Sequence, residues 1–258
     1  MDKIYDKYAV YYDILHSDKS YSKECEFVEQ MFKTFSTSLP KTVLNVGCGT
    51  GNHAIIFAKK GYEITGIDAS AGMVNHAQRK AVESGLNIDF KTMDMTDIKL
   101  EKKFDACIVM FGAIGYLKSY DALRKAFIGI KNHLTEDGIL IFDYWNGPAV
   151  LTLRPSTVNK DIKHNDTRIL RSATPKLDFE NNVCSVNYHC IVLEKNKIID
   201  EFIEVHRLQF YFPTDIHYHL DTCGFKVIKT MPFMKAEEPI DDKNWNLITI
   251  ARPKNTKT

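Results

Sequence analysis

One stretch constrains this chain more than any other: Thr42 to Asp68, T-V-L-N-V-G-C-G-T-G-N-H-A-I-I-F-A-K-K-G-Y-E-I-T-G-I-D. An apolar run (Val43 to Val46) predicts a strand covered on both faces of a parallel sheet. Three glycines (Gly47, Gly49, Gly51) predict a tight turn, and a helix follows over about Asn52 to Lys60. A second strand then ends in the carboxylate of Asp68. Glycine lets a ligand approach the main chain where a Cβ would collide, and the N–H groups of the following helix open onto the same crevice. Dinucleotide sites use G-x-G-x-x-G, with a third glycine packing helix on strand. Here the spacing is G-x-G-x-G followed by Asn52, so that register is not met. Asp68 lies 17 residues after Gly51, a separation that suits an acceptor for ribose hydroxyls in either ligand class.

The element V-L-N-V-G-C-G-T-G followed by G-I-D-A-S-A-G-M resembles motifs I and II of class I S-adenosylmethionine (SAM)-dependent methyltransferases. The resemblance implies that Gly47, Cys48, Gly49, Gly51 and Asn52 receive the methionine part of SAM. It assigns the ribose to Asp68, with Ala69 and Met73 beside it. It places the adenine at Asp94 and Met95, at the end of the predicted strand Asn87–Met93, and puts Met110 nearby. The opening Y-Y-D-I-L-H-S-D-K-S-Y is similar to the tyrosine-rich entrance of small-molecule methyltransferases, giving Tyr12 an acceptor role and Tyr21 a place over SAM. The implied cofactor is SAM, with S-adenosyl-L-homocysteine as product, and the fold is α/β: a Rossmann-like seven-stranded mixed sheet with the last strand antiparallel.

Along the chain, a prologue containing Tyr5, Tyr8, Tyr11, Tyr12 and Tyr21 leads into a helical pattern over Ser22 to Phe35. Ser70 is placed to cap the helix bearing Met73, Val74, Ala77 and Ala81. A fourth strand, Lys103–Met110, continues into F-G-A-I-G-Y-L-K. The base-clamping [D/N/S]-P-P-[Y/F] element of nucleic-acid amino methyltransferases is absent, and this segment instead resembles nucleotide-sugar N-methyltransferases. That likeness assigns Phe111 and Tyr116 to the acceptor side. An amphipathic helix over Asp121–His133 is expected to stop at Asp137–Gly138, before a strand Gly138–Tyr144 leading to Trp145.

From 149 to 210 the chain departs from a minimal core. A hairpin (Ser185–Leu193, Ile198–Phe210) and a strand near Arg168–Ala173 predict a small antiparallel β layer over the acceptor site. It supplies Asn187, Tyr188, His206 and Arg207; adjacent residues of a strand face opposite ways, so His206 and Arg207 cannot both face a substrate. Pro213–Cys223 reads as a helix capped from Thr214 or before. Phe225–Met231 and Asn244–Ala251, the latter containing Trp245, read as the last strands. The expected organisation is a helical lid (1–40), a core (41–148 and 211–252), the β insertion (149–210) and a polar tail (253–258).

Methyl transfer from a sulfonium is an in-line displacement, so positioning and exclusion of water outweigh side-chain nucleophiles, and none is recognisable. An amine acceptor must enter neutral; Tyr12, Tyr116 and His206 are the candidate proton acceptors, with Tyr144, Trp145, Asn187, Arg207 and Trp245 as candidate substrate contacts. A net charge of +1 gives no broad basic stripe for nucleic acid. No apolar run suits a membrane span, and six scattered cysteines lack metal or disulfide spacing, so a cytoplasmic monomer or homodimer with no metal is expected. The favoured activity is N-methylation of a nucleotide-linked amino sugar. An O- or N-methyltransferase of another metabolite, an NAD-dependent oxidoreductase and a non-catalytic SAM-binding protein stand as alternatives.

Overall fold

The computed structural model describes residues 7–254; Tyr5 and the end of the expected tail lie outside them. Two helices come first, α1 (Tyr8–Leu15) and α2 (Tyr21–Phe35). The core then alternates β1 (Thr42–Val46), α3 (Asn52–Lys59), β2 (Glu63–Asp68), α4 (Ala71–Glu83), β3 (Asp89–Thr92), β4 (Phe104–Val109), α5 (Tyr120–Asn132) and β5 (Leu134–Trp145). Next come α6 (Gly147–Leu153) and four strands, β6 (Val158–His164), β7 (Thr167–Asp178), β8 (Val183–Glu194) and β9 (Lys197–Gln209). The chain closes with α7 (Pro213–Thr222), β10 (Phe225–Pro232) and β11 (Asn246–Pro253).

Seven strands form one sheet in the order β10-β11-β5-β4-β1-β2-β3. β11 runs antiparallel to both β5 and β10, whereas β1, β2, β3, β4 and β5 pair in parallel. The central strands are apolar on both faces because helices cover both. One core layer packs Phe127 and Leu123 of α5 and Ile216 of α7 against Phe142 and Tyr144. The other packs Phe32 of α2, Phe57 of α3 and Ala77 of α4 against Val43, Ile108 and Ile141. The order reverses direction between β1 and β4, so the crevice beyond their C-terminal ends is where such sheets hold ligands.

Several boundaries differ from the sequence reading. The helix α5 ends at Asn132, and β5 begins immediately, with Leu134 paired to Phe104. Pairing resumes at Ala106 with Ile139, so Asp137–Gly138 lies in an irregularity of the strand, not at a helix stop. Thr214 does not cap α7; Pro213 occupies its first turn, where a missing N–H costs nothing, and Phe212 precedes it. Pro253 ends β11 opposite Phe225. Ser70 does cap α4, its Oγ accepting from the Met73 N–H at 3.2 Å.

The second sheet, order β6-β7-β8-β9, is antiparallel throughout and includes a strand, β6, that the sequence reading did not contain. Its inner face meets two partners. Ile169, Cys190, Val192 and Phe202 pack against Tyr8 and Leu15 of α1. Cys184, Val186 and Leu208 pack against Tyr116 and Trp145, at the ends of β4 and β5. Gly115 makes that second contact possible, since a Cβ there would stand 3.2 Å from the Gln209 carbonyl oxygen.

Close packing at the glycine turn gives a direct test. A Cβ on Gly66 of β2 would lie 2.5 Å from the Phe90 ring and 3.1 Å from the Cys48 Sγ. Overpacking of a rigid core typically costs about 1–3 kcal/mol. Gly66→Ala is expected to destabilise the protein by that amount in urea unfolding, and Phe90→Leu in the same chain to restore part of the loss.

Candidate active site

The crevice is built from the glycine turn outward. Gly47, Gly49 and Gly51 all have positive φ (65°, 54° and 79°), which only glycine adopts without strain. Their surroundings separate their roles. A Cβ on Gly51 would strike Ala77 and Phe90 at 2.9 Å, so Gly51 packs the start of α3 against the sheet and does not line the cavity. A Cβ on Gly47 would strike Ala113 at 2.8 Å. Around Gly49 a Cβ would meet nothing within 4 Å: its open side faces a cavity of about 510 Å³.

Asp68, the last residue of β2, ties the turn together. One carboxylate oxygen accepts from the Gly49 N–H at 2.8 Å, and the other accepts from the Ser70 N–H at 2.9 Å. Burial raises its pKa above the ordinary range, and the two N–H groups pull it back. Each carboxylate oxygen has a second lone pair, so both retain capacity for an outside donor. Cys48, Asn52, Ala69 and Met73 line the same cavity, as do Asp94 and Met95 beyond β3 and Met110 after β4. Asp94 is exposed and folds one oxygen back onto the Thr96 N–H and hydroxyl, both at 2.8 Å.

The helix α1 is fastened over the turn. Asp13 accepts from the Thr50 hydroxyl (2.7 Å), the Asn52 amide (2.9 Å) and Lys80 (2.7 Å). This brings Tyr12 into the cavity wall beside Tyr21. Burial holds the Tyr12 phenol well above its usual range and Tyr21 at about 12, so both stay protonated near neutrality. Behind Tyr21, Glu24 meets Lys19 and, at 2.8 Å, the His53 Nε2. Burial holds His53 below its usual range, consistent with a neutral ring donating to Glu24.

The far wall follows β4. Phe111 and Gly112 both take φ of 66°, strained for phenylalanine. The turn points the Gly112 N–H at both Asp143 oxygens (3.0 and 3.1 Å). The Phe111 ring lies in the wall under the Lys19 ammonium at 3.9 Å. Tyr116 then crosses from the cavity to the small sheet, where its hydroxyl sits 2.8 Å from the His206 Nδ1. The His206 Nε2 faces the Glu204 carboxylate at 3.3 Å, and that carboxylate also accepts the Tyr8 backbone N–H at 2.9 Å. His206 is 2% exposed, and the half-buried Tyr116 phenol and Glu204 carboxylate flank it in one series.

Other expected residues fall elsewhere. Tyr144 is fully buried in the core against Phe142 and Tyr211, because its position on the central strand β5 points beneath α5 and α7; it is no substrate contact. Trp145 and Trp245 pack edge to face at 5.3 Å beside the site and outside the cavity wall. Asn187 and Arg207 are exposed on the outer face of the small sheet, opposite Val205 and Ser185, and point away. The inner face carries Tyr188, whose ring meets His206 at 4.9 Å. Glu204 carries no role in the sequence reading, and Asp143 only matches in type a carboxylate that follows this strand in the resembled family. Strand parity with His206 would have placed Glu204, since it sits two residues away on the same face.

This topology with this crevice is the class I SAM-dependent methyltransferase fold. Residues 43–138 match the family model described as a methyltransferase domain. Among curated proteins, one of Geobacillus sp. (strain WCH70), provisionally described as a methyltransferase, is 34% identical over 54% of this chain and 56% of its own length. The dTDP-3-amino-3,4,6-trideoxy-alpha-D-glucopyranose N,N-dimethyltransferase of Streptomyces venezuelae is 26% identical over 86% of this chain and 90% of its own. Among solved structures, an S-adenosylmethionine-dependent methyltransferase from Clostridium acetobutylicum superposes with a TM-score of 0.80 at 20% identity, covering 97% of this chain and 99% of that one. Among the described residues no helix is long and apolar enough to cross a membrane.

Asp143 supplies a test that needs no ligand. Burial pushes its carboxyl up to about 7 from an ordinary 3.8, against the pull of the Gly112 N–H and Lys19. Between those values the folded protein holds a proton that the unfolded chain releases, so this group's contribution to stability falls as pH rises through the window. Asp143→Asn cannot ionise. Its melting temperature relative to wild type is expected to climb from about pH 4 to about pH 8; a constant difference would contradict the assignment.

Proposed function

We propose that this chain methylates the amino group of a small molecule with SAM as donor, and that the acceptor is an amino sugar carried on a nucleotide. The observation that carries the reading is one crevice with two unlike ends. The glycine turn and Asp68 offer a cradle for a nucleoside-linked methionine. The paired Tyr116 and His206 stand at the other end, with half-buried Glu204 behind them. The acceptor class draws support from the Streptomyces venezuelae relative, which matches over most of both chains.

The residues present fit SAM. Gly49 leaves room where a side chain would project, Asp68 keeps acceptor capacity for ribose hydroxyls, and Asp94 and Met95 line the same cavity, which supports an adenine role for them. When bound, SAM supplies an electrophilic methyl group on a sulfonium, leaving S-adenosyl-L-homocysteine. The protein supplies alignment, which is worth roughly 7–11 kcal/mol when reacting atoms are held in near-attack geometry. Phe111, Met110 and Ala113 wall off water on the acceptor side, and Tyr12 and Tyr21 close the face beneath α1. We assign α1 and the small sheet to covering the acceptor.

An ammonium has no lone pair, so a proton must leave the amine. The Tyr116 oxygen is placed to accept that proton while its own passes to the His206 Nδ1, and the Glu204 carboxylate stabilises the resulting imidazolium. Tyr12, held protonated, contributes position and a hydrogen bond. General base catalysis of this kind typically contributes about 10²–10⁴ in rate.

The experiment is S-adenosyl-L-homocysteine production on a panel of dTDP-linked amino sugars, simple amines and hydroxylated analogues. Turnover confined to acceptors without a nucleotide sugar would end the acceptor assignment. His206→Gln is expected to lower kcat/KM on the best amine by roughly 10²-fold or more at neutral pH, with the deficit shrinking at high pH as the amine loses its proton unaided. Unchanged kinetics across pH would remove the relay.

A further inference from the structure

The inner face of the small sheet holds a cation that methyl transfer does not use. Arg171 sits on β7 between Ile169 and Ala173, opposite Cys190 of β8, and is 8% exposed. A guanidinium carries five N–H donors and stays charged at any ordinary pH, so burying it without a counter-charge is costly. Among the described residues its one hydrogen bond runs from Nη1 to the Tyr8 hydroxyl at 3.2 Å. Its flat face lies 5.5 Å from the Tyr188 ring. The Nε is buried and, among the described residues, has no acceptor. A neutral phenol and a ring face do not balance a desolvated charge, yet the fold keeps it there.

Its neighbours lead straight to the reacting end of the crevice. Tyr188 and Tyr8 both flank His206, at 4.9 and 5.2 Å between rings. Tyr8 also meets the His16 Nε2 at 3.3 Å, and His16 abuts Phe111 of the cavity wall at 5.3 Å. The positive field of Arg171 is felt nearby: burial, with Arg171 next, holds His16 down at about 3. A buried cation with an idle Nε edge thus lies one residue away from the Tyr116 and His206 pair.

We infer that Arg171 anchors an oxyanion carried by the methyl acceptor, gripped by Nε and a neighbouring Nη, with the Tyr8 hydroxyl and the Tyr188 ring shaping the site. A planar fork matched to two oxygens is the geometry by which arginine recognises carboxylates and phosphates. Two sources offer that chemistry: the diphosphate of a nucleotide-linked sugar, or the carboxylate of an amino-acid-like amine. That the anion belongs to a methyl acceptor rests on the reading under Proposed function; the anion site itself rests on the surroundings of Arg171.

The test is calorimetric titration of the full chain, saturated with S-adenosyl-L-homocysteine, using inorganic pyrophosphate and acetate as separate probes. At least one probe is expected to bind wild type and to bind Arg171→Met roughly 10- to 150-fold more weakly, the loss of one charge-assisted interaction. Pyrophosphate as the bound probe identifies the diphosphate source, and acetate the carboxylate source. Arg171→Met is expected to retain S-adenosyl-L-homocysteine affinity and, freed of a buried charge, to unfold no earlier than wild type. Should it fail to fold, Arg171→Lys carries the test: it keeps the charge without the fork, and at least a tenfold loss is expected. Binding of neither probe to wild type, or equal binding to wild type and variant, overturns the inference. None of these readouts requires turnover, so an inert protein that still binds pyrophosphate through Arg171 would sink the methyl-transfer reading alone.

Discussion

The carboxylate of Asp68 holds the crevice in shape. It joins the end of β2 to the glycine turn 19 residues earlier through the Gly49 N–H, and to the start of α4 through the Ser70 N–H. Next to it the Cys48 N–H donates to the Ile67 carbonyl oxygen at 3.0 Å. Three backbone segments converge on one side chain at the point where the sheet order reverses. Without that acceptor, two partly buried backbone N–H groups would lose their partner within the protein. The glycines permit the turn, and Asp68 selects the one conformation that leaves the open side of Gly49 facing the cavity.

A second half is laid across this frame by elements distant in sequence. The helix α1 is fastened at one end by Asp13 to Thr50, Asn52 and Lys80, and at the other by its Tyr8 N–H to Glu204. The small sheet is fastened by β9 running against the Gly115 turn. Both contacts bring polar groups into a buried space, where an unsatisfied group is expensive and a satisfied network fixes a unique arrangement. In the series Tyr116, His206 and Glu204 each polar group meets the next. Arg171 differs: among the described residues it has one neutral hydrogen-bond partner and an idle Nε. That contrast separates a group poised to handle a proton from a group poised to receive an anion.

How much of this was legible in the sequence depended on how local the determinants are. The glycine turn, Asp68, the Ser70 cap and the alternation of strand and helix through β4 are written in short windows, where periodicity and turn chemistry decide. Eleven of the twelve residues assigned to SAM line the cavity; Gly51 does not, because its conflict with Ala77 and Phe90 is a tertiary fact. The start of β5 was missed since an irregularity opposite Phe104 and Ala106 depends on the neighbouring strand. The strand β6 (V-N-K-D-I-K-H) lacks an apolar alternation and is defined by its pairing with β7. Parity could have excluded Asn187 and Arg207: both occupy the opposite face from Tyr188 and His206, and only the direction of that face needed the structure. Nothing in sequence marks Arg171, which becomes unusual only when its burial and missing partner are known.

The central claim is that the open side of Gly49, with Asp68 beneath it, holds SAM. Isothermal titration of the wild-type chain and Asp68→Ala with SAM, and separately with NAD, tests it most directly. Saturable SAM binding to wild type, weakened roughly 10- to 150-fold in Asp68→Ala, with no heat from NAD, is the predicted result. A wild-type chain that ignores SAM, or prefers NAD, would contradict it.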